Sequence, residues 1–347
     1  MVYVIVTAGI IIFSSWSHYL QAPQYPHQRV IDAQPLLHGF LPFDSEHYYT
    51  IAAEGYTTHS YSQAFFPLYP LAVRAVSTIM PIDAAMLVVS WTCTFGAAIF
   101  VYLWAAAELR THPLTVGKLP QTLLLLLAVY PFSFFCIMGY PESLFIMMTA
   151  ASLYSYRTNH LFMAGLLGAL SSLTRFHGIF LAVFFITDYL FRRRWNDWRR
   201  LMPALMTPIG LLAFMLYQWH TFGNPLAFID IQRLWYRFSG TIVSGIVETL
   251  TPISVGVVLL AAALIILTYH TLSKPLAFYV ACSFFVPVLS GSLDSLNRYA
   301  LSAFPIFLAF AMLFVRMKRS LQIGIIATSI ILLVASIAFI SNLYFIG

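Results

Sequence analysis

The segment LPFDSEHYYTIAAEGY places an acid, Asp44, at the head of a stretch with helical periodicity. Phe43, His47, Ile51 and Gly55 recur at every fourth position, flanked by Tyr48 and Ala52. That pattern fits an amphipathic helix lying along a membrane surface. Asp44 then stands one helical turn from His47 and Tyr48. Two roles follow from its place. Asp is a favoured N-cap and complements the helix dipole. A carboxylate near a bilayer surface can also accept a proton from a sugar hydroxyl, as a general base. The two are compatible, because a cap position fixes the side chain.

Three further charges open or join apolar runs: Glu142 in GYPESLF, Arg175 in SSLTRFHGIF and Arg298 in SLNRYALSAFP. A charge at membrane depth is costly, so each is a functional candidate by default. Either Glu142 pairs internally with one of the arginines, or the arginines form a planar fork for an anionic headgroup such as a phosphate. Asp44 and Glu46 make at most a DxD-like pair, thin ground for a metal. No P-loop, dinucleotide fingerprint, HExxH or nucleophile elbow occurs. No cofactor is implied, and dependence on a divalent metal stays open.

These residues have to be positioned by apolar elements. The 347 residues are 60% hydrophobic and only 9% charged, too apolar to cover a soluble globule, so lipid must solvate much of the chain. Apolar runs fall near 2–20, 84–107, 121–139, 141–156, 160–174, 176–191, 201–219, 243–269, 276–291, 299–315 and 321–345. The expected fold is all-α and polytopic, about eleven spans in a single domain over 1–347. The runs 141–156, 160–174 and 176–191 are short, and are tilted, buried in protein or paired as partial spans. Residues from about 21 to 83 form a large first loop. Within it QAFFPLYPLAVR, with two prolines, reads as a turn into a partly embedded helix ending near Met80. Cys93, Cys136 and Cys282 sit inside apolar runs as small core residues. The N-terminal run lacks a basic n-region and reads as a first span.

With Met1 placed inside, twelve of the 18 basic residues fall on inside loops, including RRRWNDWRR and RMKR. Nine of the 12 acids fall outside. Orientation thus accounts for the net charge of +6, and nucleic acid is not needed as a partner. The candidate chemistry gathers on the outer face.

FDSEHYYTIAAEGY followed by AFFPLYPLAVR resembles the PIG-V-like mannosyltransferase family, as do GYPESLF, SLTRFHGIF, GNPLAFIDIQRLWYRF and NRYALSAFPIFL. The likeness covers roughly residues 40 to 315, with Phe43 where Trp is commoner. It implies a GT-C-like membrane glycosyltransferase whose first outer loop carries the base, here Asp44. It further implies a polyprenyl-phosphate-mannose donor, Arg175 and Arg298 on the donor phosphate, inversion at the anomeric carbon, and a lipid-linked or glycan acceptor. His47, Glu142, Gln232, Trp235 and Tyr299 are candidates for the substrate pocket. Lacking large luminal insertions, the chain resembles a prokaryotic member, working at the cell membrane on an acceptor other than a GPI precursor. The acceptor itself is not legible. Competing readings are a secondary transporter or flippase, and a noncatalytic subunit of a membrane glycosyltransferase complex. A transporter commonly shows repeated halves with broken helices at midplane. No repeat is visible, and the polar residues gather on one face.

Overall fold

A computed structural model describes residues 37–57, 61–110, 117–193, 196–235, 246–247, 250–289, 293 and 295–341. Most of these residues are helical, with no strand among them. Two short helices come first, α1 (Ser45–Glu54) and α2 (Leu68–Val76), with a 3-10 turn, Tyr61–Ala64, between them. Then follow α3 (Ile82–Leu109), α4 (Leu119–Val129), α5 (Glu142–Arg157), α6 (Leu161–Thr174) and α7 (Phe180–Phe191). The rest are α8 (Met202–Met206), α9 (Pro208–Phe222), α10 (Ala227–Asp230), α11 (Pro252–Thr271), α12 (Lys274–Val288), α13 (Leu296–Ser302), α14 (Ile306–Phe314) and α15 (Arg319–Ser341).

Of the eleven expected apolar runs, 2–20 lies outside the described residues; the other ten all carry helix. By length and composition, four stretches qualify as membrane spans: α3, Trp198–Phe222, Ser254–Thr271 and Arg319–Ala338. The pair α13 and α14, bent by 85°, is apolar and long enough only when taken together, as a broken span or a re-entrant loop. The chain is an integral membrane protein, and shorter apolar helices, among them α4, α6 and α12, accompany these spans.

Two runs expected as continuous are broken by proline. The run at 121–139 stays helical only to Val129, because Pro131 forces Tyr130 to an extended backbone (φ −57°, ψ 132°). It continues as a 3-10 turn, Ser133–Cys136. The run at 299–315 breaks between Ser302 and Ile306, around Pro305. Irregular backbone at membrane depth is tolerated only where protein satisfies its polar groups. That condition holds here. Trp91 Nε1 donates to Ile137 O (2.9 Å), Thr94 Oγ1 to Cys136 O, and Tyr130 OH to Asn297 O (3.0 Å).

α5 is the most enclosed of the short helices and packs along α3 and α6. Within a bilayer, small residues and interhelical hydrogen bonds do much of the joining. Thr149 Oγ1 meets Ser171 Oγ at 2.8 Å, and Ser152 Oγ donates to Ala164 O at 2.7 Å. α6 and α9 approach so closely that a Cβ at Gly210 would lie 2.0 Å from Ala169 O. The helix dipole also suits the ends of this pair: Glu142 opens α5, Arg157 closes it, and Arg175 follows α6.

Both ends of α5 are anchored by charge. Arg157 bonds both carboxylate oxygens of Glu108, one of them through Nη2 at 2.8 Å. Its Nη1 reaches Asp188 Oδ1 at 2.9 Å, and Asp188 also takes Arg192 Nε at 2.8 Å and Tyr156 OH at 3.1 Å. This network joins α3, α5 and α7. A second charge cluster lies at the other end of α5, about 22 Å away at 1.5 Å per residue.

α1 differs from its expected face. The buried residues are Ser45, Tyr48, Ile51 and Ala52, so the packed stripe is shifted toward Tyr48, with His47 at its edge. The reason is that α1 packs against α2 and α3, and its inner side follows those neighbours. α2 ends at Val76, before Met80, and its Arg74 is exposed.

Candidate active site

Asp44 precedes α1, but its side chain does not cap the helix. An N-cap residue normally holds a non-helical backbone that turns its side chain onto the first free N–H groups. Asp44 is already helical (φ −58°, ψ −18°). The N–H groups of Ser45 and Glu46 are taken instead by the carbonyls of Pro42 (3.2 Å) and Phe43 (3.1 Å). The carboxylate is therefore available elsewhere, and Oδ2 accepts from Arg298 Nη1 at 2.7 Å.

Arg298 stands on α13, the short helix that the break around Pro305 separates from α14. Its guanidinium carbon lies 5.0 Å from the Phe135 ring centre and 4.9 Å from that of Tyr140, a cation–π setting. Its Nε and Nη2 both reach Glu142 Oε1, at 3.1 and 3.0 Å. The same oxygen accepts from Arg175 Nη1. Glu142 Oε2 is buried with no hydrogen-bond partner among the described residues.

Two carboxylates and two guanidiniums thus meet, with no net charge. Buried ions persist only when paired and hydrogen-bonded. Three of the four are nearly dry: side-chain exposure is 1% for Glu142, 7% for Arg298 and 11% for Arg175. Asp44 is the exception at 28%. The pairing of Glu142 with an arginine holds here for both arginines at once.

The other candidates are placed as follows. Tyr299 is buried, with its ring 5.2 Å from that of His177, two residues beyond Arg175. His47 lies one turn along α1, stacked on Phe65 at 4.6 Å and 6.1 Å from Tyr61. Burial lowers the His47 pKa, and the charge of Asp44 works against that shift. Gln232 does not join the cluster: its amide donates to Phe228 O (3.2 Å), within its own turn. Its segment, Ile231–Trp235, packs on the Tyr61–Ala64 turn. The Trp235 side chain lies outside the described residues. Among the described residues, no three His, Cys, Asp or Glu side chains come together.

Phe135, Tyr140 and His177 went unmarked in the sequence reading. Position was the available signal, since Tyr140 is two residues before Glu142 and His177 two after Arg175. In a chain with 30 Phe and 20 Tyr, residue type alone could not single out the aromatic pair.

No curated protein matches the chain. Among solved structures, it is similar to the archaeal oligosaccharyltransferase AglB from Archaeoglobus fulgidus, in complex with an inhibitory peptide and a dolichol-phosphate. The identity is 13% and the TM-score 0.45. The match covers 98% of this chain and 56% of that one, so the chain spans little more than half of that protein's length. The family description "Mannosyltransferase (PIG-V)" matches residues 2–241, which take in α1, Asp44, Glu142 and Arg175. That match extends over more than half of the sequence, and the chain belongs to the PIG-V mannosyltransferase family.

Proposed function

We propose that the protein transfers mannose from a polyprenyl-phosphate-mannose donor to a hydroxyl of a lipid-linked or glycan acceptor, with inversion, on the extracytoplasmic face of a prokaryotic cell membrane. The observation that carries this reading is the state of Asp44. It is spared from capping its helix, held by Arg298 at 2.7 Å, and the most exposed of the four clustered charges. Glu142 is sealed between two arginines, so of the two carboxylates only Asp44 is placed to meet an acceptor.

The step follows from these groups. Asp44 takes the hydroxyl proton as the acceptor oxygen attacks C1 of mannose. The bond from C1 to the phosphate oxygen breaks on the opposite side, and its electron pair leaves on the polyprenyl phosphate. Inversion results without a covalent enzyme intermediate. Charge grows on the phosphate as it leaves, and preorganised arginines stabilise it without reorganising. Arg175 commits only Nη1 within the cluster, which leaves the rest of its donors for a phosphate. Arg298 is the link between phosphate and base.

The test is Asp44→Asn, with Glu46→Gln as control. Asn keeps the shape and removes the base. Transfer of label from polyprenyl-phosphate mannose should fall by about 10²–10⁴, with donor binding retained. A fully active Asp44→Asn beside an inactive Glu46→Gln would move the role to the other carboxylate.

A further inference from the structure

We propose that Tyr140 is a positioning residue for this reaction: its hydroxyl sets the backbone that carries Asp44, and its ring sets the plane of Arg298. The proposal rests on the assignment of Asp44 as base.

The backbone just before Asp44 is in an unfavourable conformation. Phe43 has φ +50°, the left-handed region that bulky L-residues avoid. Such a residue persists only where its surroundings over-determine it. Phe43 packs against the core, and two residues on the segment between α4 and α5 hold the chain just before it. Gly139 N–H donates to Phe40 O at 2.9 Å, and Tyr140 OH donates to Pro42 O at 3.0 Å. Together they grip the chain three residues and one residue before Phe43. The grip is close. A Cβ at position 139 would lie 2.5 Å from Leu41 Cδ2, 2.8 Å from Met86 Cε and 3.3 Å from Ser45 Oγ. A side chain there would have to push aside the tips of Leu41 and Met86, while no backbone atom stands in its way.

The consequence reaches the chemistry. With the chain held through Phe43, Asp44 enters α1 already helical, and its carboxylate meets Arg298 instead of its own helix. The ring of the same Tyr140 lies 4.9 Å from the Arg298 guanidinium carbon, with Phe135 also against it at 5.0 Å. One side chain thus bonds the backbone that leads to the base and lies against the arginine. Tyr140 is itself anchored: it is fully buried, and its carbonyl accepts from Ser90 Oγ at 3.4 Å, on the long helix α3.

Hydroxyl and ring can be removed separately. The full chain in detergent, supplied with membranes that carry their own acceptors, is titrated with radiolabelled polyprenyl-phosphate mannose. Tyr140→Phe removes only the hydroxyl. It should lower kcat roughly 10-fold and leave half-saturation by donor unchanged, a smaller loss than the ~10² that a 1 Å misplacement costs. Tyr140→Leu also removes the ring, and should raise half-saturation by donor severalfold as well. Gly139→Ala, which displaces Leu41 without altering Tyr140, should reproduce the kcat effect of Tyr140→Phe. If Tyr140→Phe keeps the parental kcat while Asp44→Asn is inactive, the proposal is overturned and the base assignment stands. The same holds if Tyr140→Phe lowers only the unfolding temperature. If Asp44→Asn is itself as fast as the parent, the base assignment fails and takes this proposal with it.

Discussion

Replacing Arg298 by Lys keeps one positive charge at a buried site and removes the planar fork. The fork serves two acids from different edges. Nη1 reaches Asp44 Oδ2 at 2.7 Å, while Nε and Nη2 close on Glu142 Oε1 at 3.1 and 3.0 Å. A lysine Nζ is a single point and cannot reproduce both edges. The Ala variant is a poor probe, because it leaves two carboxylates without their shared cation. Breaking a buried pair that way costs about 3–5 kcal/mol and confuses folding with function. In the Lys variant the expected loss is one charge-assisted hydrogen bond, about 1.5–3 kcal/mol. At about 1.4 kcal/mol per decade, kcat/KM for the donor should fall roughly 10- to 150-fold. Half-saturation by donor should rise more than half-saturation by acceptor. Initial rates of label transfer across a donor series measure this, with thermal unfolding in detergent as the check on folding. A folded Arg298→Lys protein with the parental kcat/KM for donor would refute the reasoning. The fork would then take no part in transfer, and Arg298 would be a buried charge that serves the fold.

The charge network at the opposite end of α5 should behave differently. Arg157→Met removes the arginine that Glu108 and Asp188 share and leaves Asp188 with Arg192 and Tyr156, so thermal stability should drop by about 3–5 kcal/mol while half-saturation by donor stays parental; an unchanged unfolding temperature would refute that role. Orientation is tested by labelling, in a background with Cys93, Cys136 and Cys282 replaced. A thiol reagent that cannot cross the membrane should reach Asn224→Cys from outside and miss Asn196→Cys, and the reverse pattern would invert the topology.

Much of the candidate site is legible in the sequence. In so apolar a chain a charge inside or beside a membrane run is expensive, so its presence alone marks Glu142, Arg175 and Arg298, while Asp44 is marked by its place at the head of an amphipathic stretch. The pairing of Glu142 with Arg175 follows almost from local rules: an acid opens α5, a base follows α6, and the two helices run antiparallel across a short turn. Helix positions were legible for the same reason, since hydropathy reports what lipid will accept. The length of each span was not. Hydropathy does not register that Pro131 and Pro305 break apolar runs where protein, not lipid, surrounds the backbone. Gln232 was placed with the site on resemblance alone, and its side chain is held within its own turn. The contact that matters most, Asp44 with Arg298, joins residues 254 positions apart. Arg298 stands on a short helix set apart by the break around Pro305, and Asp44 makes no cap bond to its own helix while Gly139 and Tyr140 hold the backbone just before it. Composition and spacing could name the charges; only the packing of broken helices decides which of them share a hydrogen bond.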